Sequence, residues 1–276
     1  MNTFAVISGD KRQNFITNYL NAHNFHASVK SNFSFHKDEI IICNTPFSKD
    51  GIYLNCDFYS HYPIDTFIRL LKPGQLVFGG NIPTSTVSKG LEKNVLFVDF
   101  LKDKHLIWEN AALTAEGLIA KMITVTDFSL SSSNVLIIGY GNCGKNIASR
   151  LKSFHSKIFI YDHTKEHQTL AKDNGYIPIK YDNLSDELKN FHIIINTVPS
   201  NVLNDFHLTQ INKSCMLFEI ASKPYGLTPE MIKKHNLSLI TCPGIPGITA
   251  PKTAGEIIAK SIISYLERKG INGSQF

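Results

Sequence analysis

The sequence predicts an α/β protein with two domains, each built on a parallel sheet, joined by long interdomain helices. Short apolar runs alternate with segments of helical periodicity along nearly the whole chain, which is typical of βαβ units. Two of these runs lead through a glycine-containing turn into a helical segment. With 276 residues, the chain is long enough for two domains that each bury a core.

The clearest βα unit is NVLIIGYGNCG, residues 134–144, where an apolar strand runs into a glycine turn and then into a helix. The glycine spacing fits the dinucleotide fingerprint, in which one glycine allows the tight turn, one lets the backbone approach a pyrophosphate and one lets helix and strand pack closely. The N–H groups at the start of the helix would hold the phosphates. The predicted cofactor contacts here are Gly139, Tyr140, Gly141, Asn142, Cys143 and Gly144.

Further cofactor contacts are predicted at the ends of the later strands. Asp162 ends the next apolar run, KIFIYD, where an acid accepts hydrogen bonds from the adenosine ribose. Because such an acid repels a 2′-phosphate, Asp162 favours NAD over NADP, although Lys165 nearby would compensate. Thr197 and Pro199 follow the run HIIIN, and Glu219 lies near the end of CMLFEI. The alternative is a nucleotide-free glycine turn with ordinary strand ends.

The first domain is predicted to hold strands at 4–8, 39–43, 75–78 and 95–98, with helices after the first strand and at 64–71. Residues 44–62 show no clear periodicity. Lys11 and Arg12 lie in the turn after the first strand, and this turn points them to the carboxyl edge of the sheet, where open α/β folds bind ligands. A helix start simply exposed to water is the alternative.

Two later segments carry the remaining candidates. NAALTAEGLIAKMITV, from Asn110, predicts a long apolar helix in which Glu116 is the candidate general base, unless it is a partly exposed helix residue. In PGIPGITAPKTAG, Lys252 and Thr253 would surround a helix N-terminus that binds a carboxylate, with Lys252 also a catalytic candidate; a plain interdomain loop is the alternative.

The predicted domain boundaries follow from these segments. Residues 1–112 form the substrate domain and 113–250 the dinucleotide-binding domain, while a helix over 251–276 packs back near the first domain.

Composition excludes several classes of protein. A hydrophobic content of 43% and a charged content of 18% are typical of a soluble globular chain. The net charge of +5 suits small anions, and no block of like charges indicates nucleic-acid binding. Five scattered cysteines predict reduced thiols in the cytoplasm, no histidine spacing indicates a metal site, and no apolar run is long enough to cross a membrane.

Six segments together resemble the A subunits of bacterial dipicolinate synthases: GDKRQ, NAALTAEG, NVLIIGYGNCG, INTVPS, FEIASKP and PGIPGITAPKTAG. The resemblance implies a two-domain Rossmann fold similar to D-2-hydroxyacid and alanine dehydrogenases. It further implies NAD(P)-dependent oxidation of dihydrodipicolinate, or of its hydroxy-tetrahydro precursor, to dipicolinate in the mother cell of a sporulating bacterium. A flavoprotein-like B subunit is the implied partner. The family pattern often has basic residues near the position of Asp162 and Asp at that of Glu219.

Two other functions stay open from the sequence. One is a 2-hydroxyacid or alanine dehydrogenase, although Pro243-Gly244 follows the last predicted strand without the histidine that the hydroxyacid branch would need. The other is a nucleotide-binding protein that is inactive without the B subunit.

Overall fold

The computed structural model describes residues 3–36 and 39–271 as an α/β protein with two parallel sheets, which confirms the predicted fold class. The chain forms two compact units. The first comprises the residues up to Asn110 together with those from Pro246 onwards, and the second comprises Ala111–Ile245.

The first unit contains a five-stranded sheet with strand order β2-β1-β3-β4-β5, in which all neighbours are parallel. The direction in which strands are added reverses between β1 and β3, and the crevice outside the carboxyl ends at such a reversal is where open α/β sheets bind ligands. The elements in chain order are β1 (Thr3–Ile7), α1 (Arg12–Ala22), β2 (His26–Lys30), β3 (Glu39–Ile42), α2 (Ile64–Leu70), β4 (Leu76–Gly79), α3 (Thr84–Glu92) and β5 (Leu96–Asp99).

A single-turn 3₁₀ helix at Phe100–Lys102 leads into α4 (Lys104–Val125), and the boundary between the two units falls within α4. This helix begins before the predicted start at Asn110, because the residues from 104 onwards continue the same helical turn.

The second unit contains a six-stranded parallel sheet with strand order β11-β10-β9-β6-β7-β8. Its strand order reverses between β6 and β9, in the manner of dinucleotide-binding sheets. Its elements are β6 (Asn134–Ile138), α5 (Asn142–Ser153), β7 (Lys157–Tyr161), α6 (Lys165–Asp173), β8 (Ile177–Pro178), α7 (Leu184–Glu187) flanked by 3₁₀ turns, β9 (Ile193–Asn196), α8 (Asp205–Gln210), β10 (Met216–Glu219), α9 (Pro229–Lys234) and β11 (Ser238–Thr241).

The chain ends with α10 (Ile245–Thr249) and α11 (Pro251–Arg268). Helix α11 packs against α1, and both helices run in the same direction. The early residue Gly255 lies against the first turns of α1, and the later residue Lys260 lies over the ring of Tyr19. The last part of the helix predicted over 251–276, residues 272–276, lies outside the described residues.

The core of the second unit lies on both faces of its sheet. In β6, Val135 and Ile137 join an apolar cluster with α4 and α5, while Leu136 and Ile138 join a separate cluster on the opposite face. Side chains alternate between the faces of a strand, so a strand covered on both sides reads as a continuous apolar run. This is why β6 and β9 are easily predicted.

The short helices α7, α8, α9 and α10 were not predicted, and neither were β2 and α3. Both β2 and α3 carry few buried apolar residues: β2 is an edge strand with partly exposed side chains, and the buried positions of α3 are Thr86 and Gly90. Residues 44–62 are irregular apart from isolated bridges between Ser48 and Leu54 and between Tyr53 and Pro63. Within the described part of the chain, no helix is long and apolar enough to cross a membrane.

Candidate functional site

The glycine turn lies at the strand-order reversal of the second sheet, between β6 and α5. Gly139 has a φ of +92°, and a Cβ there would lie 2.4 Å from Thr197 Oγ1. A Cβ on Gly144 would lie 2.1 Å from the carbonyl oxygen of Gly139. A Cβ on Gly141, by contrast, would have no heavy atom within 4 Å. Packing therefore requires the two outer glycines, while the middle one borders open space.

The N-terminus of α5 faces this turn without a capping side chain. Its N-cap residue is Gly141, no side chain bonds to the cap, and the first turn holds no acidic residue. The first N–H groups of a helix have no partner within the helix and attract anions. In this helix of 12 residues, Asn142 and Cys143 supply such groups. The arrangement fits a pyrophosphate.

The side chain of Tyr140 is not accessible to a ligand. It is 1% exposed, its ring packs near Tyr176 and His167, and Asn174 donates a hydrogen bond to its hydroxyl oxygen at 3.0 Å. Burial raises the pKa of this tyrosine. The Tyr140 side chain is therefore buried next to the glycine turn, and this burial does not favour a cofactor contact through the side chain.

Asp162 lies at the carboxyl end of β7, next to the glycine turn, and is 6% exposed. One carboxylate oxygen accepts from the Tyr140 N–H at 2.7 Å and lies 3.0 Å from His167 Nδ1. The other accepts from the N–H and the hydroxyl of Thr164, both at 2.9 Å. Burial raises the pKa of Asp162, but these hydrogen bonds outweigh it, so the pKa lies below its usual value. A ribose hydroxyl would have to share this carboxylate with the groups already bonded to it.

Thr197 and Pro199 follow β9 at the same edge of the sheet. The Thr197 hydroxyl donates to the carbonyl of Ile138 at 2.9 Å, and its side chain covers Gly139. Pro199 is exposed. The structure thus brings Thr197 against the glycine turn.

Glu219 is 1% exposed, and this burial does not favour a cofactor contact through its side chain. One oxygen accepts from the Ala221 N–H at 2.8 Å; the other accepts from the amide of Asn196 at 2.7 Å and from the N–H groups of Gly226 and Leu227 at 3.1 and 2.6 Å. Burial raises its pKa, while the four donors oppose that effect. Glu219 therefore fixes the loop 221–227 to the ends of β9 and β10.

In the first unit, Arg12 lies at the strand-order reversal between β1 and β3. It is 7% exposed, its Nε donates to Asp10 at 2.9 Å, and its Nη2 donates to the carbonyl of Thr45, just after β3, at 2.8 Å. The guanidinium group therefore bridges the loops that follow β1 and β3. A Cβ on Gly247 would lie 2.9 Å from Arg12 Nε, so only glycine fits at that position of α10 without displacing the guanidinium.

The other predicted carboxylate ligands lie at the N-termini of α1 and α11. These two parallel helices approach closely at Gly255, whose Cβ would lie 2.7 Å from the carbonyl oxygen of Arg12. Neither helix has an acidic residue in its first turn or a capping side chain of its N-cap residue. Lys11, Lys252 and Thr253 are exposed there. The Asp10 carboxylate accepts from the Arg12 backbone N–H at 3.0 Å and so balances part of the positive end of α1. A bound anion would offset the rest of the charge at these two helix ends.

The surroundings predicted for Glu116 are not apolar. Its side chain is 60% exposed and pairs with Arg150 of α5 at 3.2 Å. Glu116 falls on the outer face of α4, since Ala115, Leu118 and Met122 take up the buried face. The structure therefore shows Glu116 as an exposed helix residue that pairs with Arg150. Arg150 lies in the C-terminal half of α5, away from the glycine turn.

Sequence reasoning missed Asp10, Gly247 and Gly255 as parts of the first unit's site. Asp10 was visible as the acid two residues before Arg12, and the two glycines belong to a segment already singled out. The contacts of the two glycines with Arg12 join segments that are far apart in the chain, and no local sequence pattern predicts such contacts. Among the described residues, no group of histidine, cysteine and acidic side chains could hold a metal ion.

Comparison with known proteins agrees with this arrangement. The sequence model of the family described as D-isomer specific 2-hydroxyacid dehydrogenase, NAD binding domain, matches residues 104–221. Over 95% of its length, the chain is 27% identical to the A subunit of dipicolinate synthase from Bacillus subtilis, of which it covers 95%.

Solved structures show the same fold. The A subunit of dipicolinate synthase from Bacillus halodurans is 23% identical with a TM-score of 0.84, over 96% of this chain and 97% of that one. Salmonella D-lactate dehydrogenase is 14% identical with a TM-score of 0.59, over 94% and 95% of the two chains. Residues 104–221 thus match the model of an NAD-binding domain, and the resemblance to dipicolinate synthase A subunits indicated by the motifs is confirmed over nearly the whole length of the chain.

Proposed function

We propose that this chain oxidises dihydrodipicolinate, or its hydroxy-tetrahydro precursor, to dipicolinate with NAD(P), as a dipicolinate synthase A subunit. The observation that carries the proposal is the open space beside Gly141 at the uncapped start of α5, in a chain similar to such a subunit from end to end. By the same resemblance, we place its action in the mother cell of a sporulating bacterium.

The reaction removes a hydride and a proton from the dihydropyridine ring, which becomes aromatic. Starting from the hydroxy-tetrahydro precursor, the ring must lose a water molecule as well. When bound, the nicotinamide supplies the hydride acceptor. This chain's own residues supply the rest of the nucleotide site: Gly141 lets the backbone approach the pyrophosphate, and the N–H groups of Asn142 and Cys143 hold its charge. Thr197 and Asp162 keep the turn in shape through the hydrogen bonds described above.

The two substrate carboxylates need positive partners. The adjacent N-termini of α1 and α11 supply one such region, with Lys11, Lys252 and Thr253 exposed beside them. Arg12 supplies a second cation at the strand-order reversal, although Asp10 already balances part of its charge. A dianionic pyridine derivative matches this pair of sites.

The proton leaves the ring to a base, and Glu116 remains the predicted one. Glu116→Gln and Arg150→Gln remove the same exposed ion pair, but only the first removes the carboxylate. If Glu116 is the base, its replacement lowers kcat by about a hundredfold, whereas the Arg150 variant stays near the wild-type rate. Equal rates in the two variants would show that Glu116 is not the base and only forms the ion pair with Arg150.

For the nucleotide, we propose NAD over NADP, because Asp162 would lie close to a 2′-phosphate. Asp162→Ala is expected to reduce the preference for NAD about tenfold, as measured by the dissociation constants of both nucleotides. Asp173→Ala, which removes an exposed acid from the end of α6, is the control. An unchanged preference in Asp162→Ala would place the ribose elsewhere.

A second candidate follows from the name of the relative, which is one subunit of a synthase. The chain would then bind nucleotide but act only together with a flavoprotein-like B subunit. The test mixes the purified chain with dihydrodipicolinate and NAD or NADP and follows reduced nicotinamide and dipicolinate together. Formation of both in equal amounts supports the proposal. Nucleotide binding with no turnover until the B subunit is added supports the second candidate.

A further inference from the structure

The Asp10 carboxylate holds Arg12 in one arrangement at the strand-order reversal of the first sheet. Asp10 lies in the turn between β1 and α1, and its two oxygens accept from Arg12 Nε at 2.9 and 3.1 Å. One of them also accepts from Arg12 Nη2, and the other from the Arg12 backbone N–H at 3.0 Å. A guanidinium group held along one edge by a carboxylate has a defined plane and direction.

The donors of Arg12 can be counted. A guanidinium group has five N–H donors, one on Nε and two on each terminal nitrogen. Asp10 takes the Nε donor and one on Nη2, and the Thr45 carbonyl takes the other on Nη2. Among the described residues, none accepts a hydrogen bond from Nη1. Gly247 lies against the Nε, Cζ and Nη2 side of the group.

We infer that Asp10 is the positioning residue for Arg12, orienting it so that Nη1 remains to bind one carboxylate of a planar dianionic ligand. The inference rests on the proposed function, because it takes Arg12 to be a substrate ligand. Without Asp10, the Arg12 side chain would lose its fixed direction, and its charge would be buried without an anionic partner. Orientation and charge balance both come from the same carboxylate.

The charge of Asp10 has the opposite effect, since an anion near the site repels a carboxylate. Its side chain is about half exposed, which screens that repulsion, whereas the bonds to the buried Arg12 are local and directional. Asp57 separates the two effects. It accepts a hydrogen bond from Ser8 at 2.8 Å at the end of β1, is exposed, and makes no ion pair with Arg12.

The test measures binding of pyridine-2,6-dicarboxylate to the full chain by calorimetry, with NAD present at saturation. Asp10→Asn is expected to weaken binding about tenfold, Asp10→Glu to restore part of the loss, and Asp57→Asn to change it less than twofold. In an Arg12→Leu background, Asp10→Asn should cause no further loss, because Asp10 acts through Arg12. The dissociation constant of NAD alone should stay unchanged in all of these variants.

Unchanged or tighter binding in Asp10→Asn would overturn the inference, tighter binding showing that Asp10 competes with the ligand. If Arg12→Leu also leaves binding unchanged, the role of Arg12 as a substrate ligand in the proposed function fails as well. If Arg12→Leu weakens binding and Asp10→Asn does not, only the inference about Asp10 fails. Gly247→Ala keeps every charge and displaces the guanidinium, so it serves if Asp10→Asn does not fold. The expected result is again weaker binding, and normal binding would contradict the inference.

Discussion

At the residue scale, Gly141 and Gly144 have different reasons to be glycine. A methyl group fits beside Gly141 without contact, whereas at Gly144 it would meet the backbone of Gly139. Gly141→Ala should therefore leave the free energy of unfolding within about 0.5 kcal/mol of wild type and weaken NAD binding at least tenfold, because the methyl group takes space needed by the pyrophosphate. Gly144→Ala should lower the free energy of unfolding by about 1–3 kcal/mol. Urea unfolding and NAD titration check both. Full nucleotide affinity in Gly141→Ala would contradict the site.

Asp162 should make the stability of the chain depend on pH. Its pKa is lower in the folded chain, so its contribution is present above the unfolded value of about 3.9 and is lost as the pH falls through the folded pKa. The difference in unfolding free energy between wild type and Asp162→Asn should be smaller at about pH 3.5 than at about pH 5. His163 and His167 also face this carboxylate. A constant or growing difference would contradict the assigned hydrogen bonds.

Sequence reasoning placed single residues well when the signal was local. The positions of Gly139, Gly144 and Asp162 follow from strand ends and spacing within one βαβ unit. The enclosure of Glu219 depends on Asn196 and on the loop 221–227, and that of Tyr140 on Asn174 and Tyr176. These partners lie elsewhere in the chain, and no sequence pattern marks them as partners. For that reason, the sequence did not show that these two candidate cofactor contacts have buried side chains bonded within the second unit.

At the element scale, the pairing of α1 with α11 brings together the two segments that we propose to bind carboxylates. Gly255 permits this contact, since a Cβ there would meet the backbone of α1 at Arg12. Gly255→Ala should lower the free energy of unfolding by about 1–3 kcal/mol and weaken dicarboxylate binding. The neighbouring variant Glu256→Ala, which adds no Cβ against the backbone of α1, is the control. Urea unfolding with a dicarboxylate titration measures both effects, and equal behaviour of the two variants would contradict the packing.

Strands with two buried faces were predictable as elements, whereas β2 and α3 were not. β6 and β9 are continuous apolar runs because both faces of the sheet are covered. β2 has one neighbouring strand and partly exposed side chains, so its sequence HASVK shows no strong pattern. Helix α3 shows no clear apolar pattern either, because its buried positions hold Thr86 and Gly90.

At the scale of the whole molecule, each unit has its own strand-order reversal and its own candidate ligands. The second sheet has the order expected of a dinucleotide-binding domain, with the glycine turn after β6. The first has a different order, with Arg12 and Asp10 at the equivalent place. The proposed oxidation of a small carboxylate needs a nucleotide site and an anion site, and each unit offers a candidate for one of them.

The most direct test of that claim follows the hydrogen itself. Dihydrodipicolinate deuterated at its saturated ring carbons is mixed with the purified chain and oxidised nicotinamide nucleotide, and both products are analysed by mass spectrometry. We predict one deuterium in the reduced nicotinamide for each dipicolinate formed. Dipicolinate that forms while the nicotinamide stays oxidised and unlabelled, with both of the deuterium atoms that the ring loses released to water, would contradict the assignment of this chain as an NAD(P)-dependent oxidoreductase.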